Sequence, residues 1–364
     1  MTMIPTPSTT PVCSSTRRAE RAEELRQLGA TDKDLAALLE YTETPFDFSG
    51  PLVLGDEPFV TVWDEYAEAS EAEGVFPVLQ RALVQLRFPV REGISETGVY
   101  RSATRRGDVS ALGASGLLGD GLRLTAPERL RLEIHPTPAG RIPVLTAPVR
   151  EDFEAIVQAL TRRNEPTPLP ASMGALMVSG YNNWDRVRRY REAWAARSNG
   201  GETWADAFRR MIPQKERYQD RFILLSEGPY SAVPASDLGL DEAEWTRISH
   251  AIRKEHECAH YYCKRALGAM RYHIFDEVIA DAYGLIVGAG FYEPEWLLRF
   301  LGLDHGGPLP REGGRMWNYC DGLSDGSVRV ISALVKRRVQ TVEAVAADCS
   351  DEQARLICNL ARSL

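Results

Sequence analysis

The chain has 364 residues, of which 44% are hydrophobic and 26% charged, and its formal net charge is −8. That length suits two domains or one large one with ample core. The acidic balance argues against a nucleic-acid binder, whose footprint is basic.

Residues 1–15 are rich in Pro, Ser and Thr and lack a charged start followed by an apolar core. They read as a disordered tail rather than a signal peptide. No apolar run approaches the roughly 18 residues of a membrane span. The six cysteines, at 13, 258, 263, 320, 349 and 358, form no C-x-x-C pair or zinc-ribbon spacing. They read as free thiols of a cytoplasmic protein.

Two short helices are predicted over 17–28 and 32–41, around Gly29, followed by a Pro/Gly-rich connection over 45–58. Val78, Leu79, Ala82, Leu83 and Leu86 have helical spacing, which predicts a helix over 75–86. From 92 to 121 the Gly and Ser content and the turn signals predict loop, and no phosphate-binding G-x-x-x-x-G-K-[ST] occurs there. Alternating runs over 122–135 and 141–147 predict paired strands joined by a turn at 136–140. A helix follows over 151–163, and the Pro-rich run 166–170 is the candidate domain boundary.

The apolar runs 174–179 and 221–226 predict two further strands, the second in the core. Between them a helix is predicted over 184–196, its arginines forming a solvated face. From Asp241 the chain becomes mainly helical. Asp241 is suited to cap a helix over 242–267, with Gly268 as its stop. More helices are expected over 275–287, 293–301, 328–347 and 351–364.

The first of these helices carries His256-Glu257-Cys258-Ala259-His260, an H-E-x-x-H motif. Residues i and i+4 share a helix face, so His256 and His260 can bind one cation. Glu257 then lies beside that cation, where it can take a proton from a metal-activated water. Two histidines do not complete a catalytic zinc site, which takes three protein ligands and keeps one position open. The metzincin completion requires Gly and His further along, and those positions hold Cys263 and Ala266. The other completion is a glutamate on the next helix, where Glu277 and Asp281 stand on an otherwise apolar segment.

Over about 242–290 the sequence resembles the gluzincins, the thermolysin-like metallopeptidases. The resemblance implies Glu277 as third zinc ligand and Asp281 as the carboxylate that orients a histidine, His256 being the expected partner. It implies one Zn2+ per chain, Glu257 as general base and a water that attacks a peptide or amide carbonyl. It also implies an α+β, zincin-like fold, with a small sheet preceding a mainly helical C-terminal half. The expected organisation is a tail over 1–15, an α/β region of unknown role over 16–165 and a catalytic domain over 166–364.

In such enzymes a histidine and a tyrosine outside the motif stabilise the transition state. His305, Arg311, Tyr319 and Tyr181 are the candidates here. Zincins also pair an extended substrate with an edge strand, for which 174–179 and 221–226 are both candidates. Cys258 reads as a small core residue, and His135, His250 and His273 as structural or surface residues. Three functions remain open: a narrow-specificity zinc hydrolase for peptides or amides, a zinc-dependent tailoring enzyme for a small amide metabolite, and a non-catalytic zinc-stabilised binding protein. Retention of Glu257 speaks against the last, since a structural site needs no general base.

Overall fold

The computed structural model describes residues 14–43, 46–112, 121–198, 201–270, 273–347 and 352–363. Most of the expected disordered tail, with Cys13, Cys349 and the turn signals at 113–120, lies outside the described residues. Ser14 and Ser15, placed in the tail by sequence, instead begin a helix.

The fold is α+β, built from one four-stranded mixed sheet and a helical majority. The N-terminal helices are α1 (Ser14–Gln27), α2 (Asp32–Tyr41), α3 (Val60–Glu73), α4 (Val75–Ala82) and α5 (Gly98–Arg106). The strands are β1 (Arg131–His135), β2 (Ile142–Ala147), β3 (Ala175–Asn182) and β4 (Gln219–Ser226), with α6 (Arg150–Thr161), α7 (Trp184–Arg197) and α8 (Trp204–Met211) among them. The C-terminal helices are α9 (Glu242–Ala266), α10 (Ile274–Tyr283), α11 (Pro294–Leu301), α12 (Asp325–Ala347) and α13 (Gln353–Ser363).

The strand order is β1-β2-β4-β3, with β1/β2 and β3/β4 antiparallel and β2/β4 parallel. The strand β4 is central and buried on both faces, as its unbroken run Phe222-Ile223-Leu224-Leu225 demands. Ile223 and Leu225 enter the core shared with α9 and α10, whereas Phe222 and Leu224 enter a second core with α3, α4 and α6. Of the two candidate edge strands, β3 is therefore the one at an edge. The sheet takes two strands from each side of the expected boundary at 165/166, so the two regions are joined through it.

The loop expected over 92–121 contains α5, whose first turn is capped by the Thr97 hydroxyl accepting from Tyr100 N–H. Helices α3 and α8 also form where no helix was expected. On α3, Trp63 and Tyr66 bury an aromatic stripe under the second core, while the outer face is acidic.

Helix α9 starts where its cap chemistry requires: the Asp241 carboxylate accepts from Glu244 N–H at 2.9 Å. It runs without Gly or Pro to Ala266, and Gly268 follows at φ +71°. Helix α10 continues into a π-helical turn over Gly284–Ala289. A Cβ on Gly284 would lie 2.7 Å from the Ile252 carbonyl, and one on Gly288 2.6 Å from the Ala251 carbonyl. These two glycines let α10 and its π-turn approach the α9 backbone closely enough for their side chains to converge.

Candidate metal centre

The close approach of α9 and α10 brings together His256, His260 and Glu277, all buried. His256 Nε2 lies 3.1 Å from His260 Nε2 and 3.5 Å from Glu277 Oε2, and His260 Nε2 lies 3.3 Å from Glu277 Oε1. Ligand atoms about 2.0–2.1 Å from a tetrahedral cation stand roughly 3.3 Å from one another. The nitrogen–nitrogen separation and the distance from each nitrogen to its nearer Glu277 oxygen fall near that spacing. The three residues form a group able to hold a metal ion.

The tautomer of His256 is set from behind. Its Nδ1 faces Asp281 Oδ1 at 2.9 Å, which leaves Nε2 with its lone pair towards His260 and Glu277. Asp281 is 0% exposed and carries further partners. The Tyr230 hydroxyl donates to Asp281 Oδ1 at 2.6 Å and lies 2.8 Å from His256 Nδ1. The Arg315 guanidinium donates to Asp281 Oδ2 and, at 3.2 Å, to the Tyr230 hydroxyl.

Charge follows the same geometry. Burial opposes an imidazolium at His260, but the Glu277 carboxylate outweighs it and lifts the pKa to about 9. Glu277 is itself held well below the usual carboxylate range; burial works against ionisation there, and the His260 hydrogen bond and charge overcome it. In the metal-free protein a proton thus supplies part of the positive charge that a cation would bring. Burial pushes the Glu257 carboxyl above its ordinary range, with the two histidines opposing. A carboxylate raised in this way is better matched to proton transfer near neutral pH.

Of the other residues singled out by sequence, Tyr319 lies beside the Glu277 carboxylate, which adds to burial in raising the phenol pKa. The remaining three have their contacts elsewhere. Tyr181 points to the opposite face of the sheet, packs on Phe222 and bonds the Gln85 side chain. His305 is exposed, and its carbonyl accepts from Lys336. Arg311 pairs with Asp304 and donates to the Arg299 carbonyl. The period-2 alternation of β3 and the exposure of the Gly-rich loop account for these placements.

His273 stacks on the Tyr41 ring, with centroids 4.6 Å apart, and serves packing. Cys258 is buried, as expected of a small core residue. With His135 and Glu255 it forms a second group of possible donor atoms, but His135 and Glu255 already pair with each other at 3.0 Å. His250 is partly buried, and burial lowers its pKa.

Sequence reading missed Tyr230, Arg253 and Arg315. Arg253 is one turn before Glu257 on α9, and a buried arginine in a helix otherwise facing a core is a signal in itself. It donates to the carbonyls of Ser226, Gly228 and Pro229, clamping the segment after β4 to the helix. Burial pulls its pKa down to about 10.

The chain belongs to a family described as a family of unknown function (DUF7005), whose profile matches residues 23–361. No curated protein and no solved structure matches it. Among the described residues, no helix is long and apolar enough to cross a membrane.

Proposed function

We propose that this member of the family is a zinc-dependent hydrolase of the gluzincin type, acting on a peptide or amide bond with narrow selectivity. The observation that carries the proposal is the convergence of the two Nε2 atoms and the Glu277 carboxylate, with Glu257 adjacent on the same helix as the histidines. His256, His260 and Glu277 would hold the ion. Two imidazoles and one carboxylate suit zinc and leave a fourth position open. Zinc there would supply Lewis-acid polarisation of a carbonyl and acidify a water.

Glu257 accepts the proton of the attacking water and delivers it to the leaving amine. Its buried position raises its proton affinity, which favours the first of these transfers. Asp281 orients His256 through Nδ1. The Tyr319 hydroxyl, beside Glu277, is the nearest of the sequence candidates to the reacting region. The edge strand β3 offers unpaired backbone groups to an extended substrate.

A small amide-bearing metabolite is the second reading. It is favoured by the burial of the site, since His256, Glu257, His260 and Glu277 are each no more than 8% exposed. So closed a site suits a small ligand better than a folded protein.

The test is elemental analysis followed by turnover assays. About one zinc per chain is expected, retained in Glu257→Gln. Hydrolysis of peptide libraries or of small amides by the wild type, abolished in that variant, separates the two substrate readings. A metal-free protein after zinc reconstitution would sink both.

A further inference from the structure

We infer that Tyr230 and Arg315 are positioning residues of the metal centre: together they fix Asp281, and through it the ring of His256. The inference rests on the zinc reading above and adds two residues that neither the motif nor the resemblance contains.

Asp281 has two carboxylate oxygens, and both are taken. Oδ1 receives His256 Nδ1 at 2.9 Å and the Tyr230 hydroxyl at 2.6 Å, while Oδ2 receives Arg315. An aspartate bonded only to its histidine can still rotate about its terminal torsion, which is broad and soft. Donors on both oxygens remove that freedom. The imidazole it orients is then held in one plane, with Nε2 directed at the site.

Tyr230 is in turn held from every side. Two guanidiniums lie over its ring, Arg253 at 5.7 Å and Arg315 at 5.5 Å from the centroid. Phe300 packs edge-on at 4.9 Å. Its backbone N–H donates to Ser249 Oγ on α9 at 3.0 Å. The next two residues, Ser231 and Ala232, adopt φ of +51° and +57°. Two successive side-chain-bearing residues in the left-handed region are costly, and persist only where the surroundings impose them. Here the surroundings are the clamp of Arg253 on the preceding carbonyls and the seat of Tyr230 on His256. The strain sits where it delivers the hydroxyl.

Arg315 has the corresponding logic of charge. It is the guanidinium that meets this buried group of carboxylates, and its own Nε is buried without a hydrogen-bond partner. The contacts of the guanidinium are made by its other two nitrogens. Those nitrogens hold the Asp281 carboxylate in place and meet the Tyr230 oxygen.

The test uses full-length, metal-depleted protein. Zinc affinity is measured by chelator competition, and the visible spectrum of the cobalt(II)-loaded protein reports ligand geometry. Tyr230→Phe keeps the ring and removes one hydroxyl; it should weaken zinc by about 10-fold or more, within the roughly 10–100-fold range of such outer contacts. Arg315→Met should weaken zinc further, and Arg315→Lys should recover part of the loss. Cobalt spectra of Tyr230→Phe and Arg315→Met should shift from wild type, while thermal melts of the metal-free proteins identify variants that fail to fold. Wild-type zinc affinity and unchanged cobalt spectra in folded Tyr230→Phe and Arg315→Met would overturn the inference and leave the zinc reading standing. A wild-type protein that binds neither metal would overturn both.

Discussion

Two clusters of buried charge flank the sheet, and they balance their charges differently. Around Asp220, on the α3 side, one carboxylate meets one guanidinium: Asp220 Oδ1 accepts from Arg186 at 2.6 Å. Its other oxygen accepts from Asn183 at 2.7 Å and Trp63 at 2.9 Å. The cluster is neutral and its acceptors are satisfied. Around His256, on the α9 side, Glu257, Glu277 and Asp281 are all buried and the guanidinium in contact is that of Arg315. Arg253 is close by but directs its donors to three carbonyls. The carboxylates outnumber the guanidinium in contact with them, and a proton on His260 offsets part of that excess where a cation would otherwise do so. A closed cluster of this kind holds a fold together, whereas an open one implies something still to be bound.

The largest effects should come from the open cluster. His260→Ala or Glu277→Ala is expected to take zinc from about one per chain to none after dialysis, read by elemental analysis. Glu257→Gln should keep the metal and lower turnover by about 10²–10⁴-fold or more. Full activity in that variant would remove Glu257 from the mechanism. Asp220→Ala should do the opposite of these. It strands Arg186 without its counter-charge, and breaking a buried pair in this way costs about 3–5 kcal/mol. Urea denaturation should register that loss, with zinc stoichiometry unchanged.

A pH series sharpens the contrast. In the metal-free protein His260 titrates at about 9 instead of near 6.5. A raised pKa means that the His260–Glu277 pair contributes its full stability below about 6.5 and loses it as pH rises through about 9. Zinc competes with that proton, so its affinity should climb by up to about tenfold per unit between pH 7 and 9 and then level off. An affinity flat across that window would mean that no proton is displaced from His260.

The five residues of the site were legible because their chemistry is written in local spacing. His256 and His260 share a face by periodicity, and Glu277 and Asp281 repeat that interval on a helix otherwise apolar. Strand β4 was legible for a similar reason, as an unbroken apolar run. Tyr230 and Arg315 were not legible, because each opens a short 3-10 turn whose position is decided by what it packs on. Nothing in Glu227-Gly228-Pro229-Tyr230 announces a partner on α10. The sharing of the sheet across residue 165 was equally hidden, since the parallel pairing of β2 with β4 joins segments far apart in the chain. Gly284 and Gly288 carried a readable signal in their spacing, but its meaning depends on the carbonyls of Ile252 and Ala251 opposite them.

The smallest expected effect tests whether the helix and the site are separable. Asp241 caps α9 about four turns before His256, and its carboxylate satisfies one orphan N–H at Glu244. Asp241→Ala should cost about 1 kcal/mol of stability, read as a lower urea midpoint at unchanged slope. The metal centre is not expected to register it. Its donors are held by α10, Tyr230 and Arg315 rather than by the first turn of α9, so zinc affinity should stay within about twofold of wild type. A cap variant that lost zinc in proportion to its stability would show that the open cluster is held by helix stability at large. The local clamp on Asp281 would then be of secondary importance.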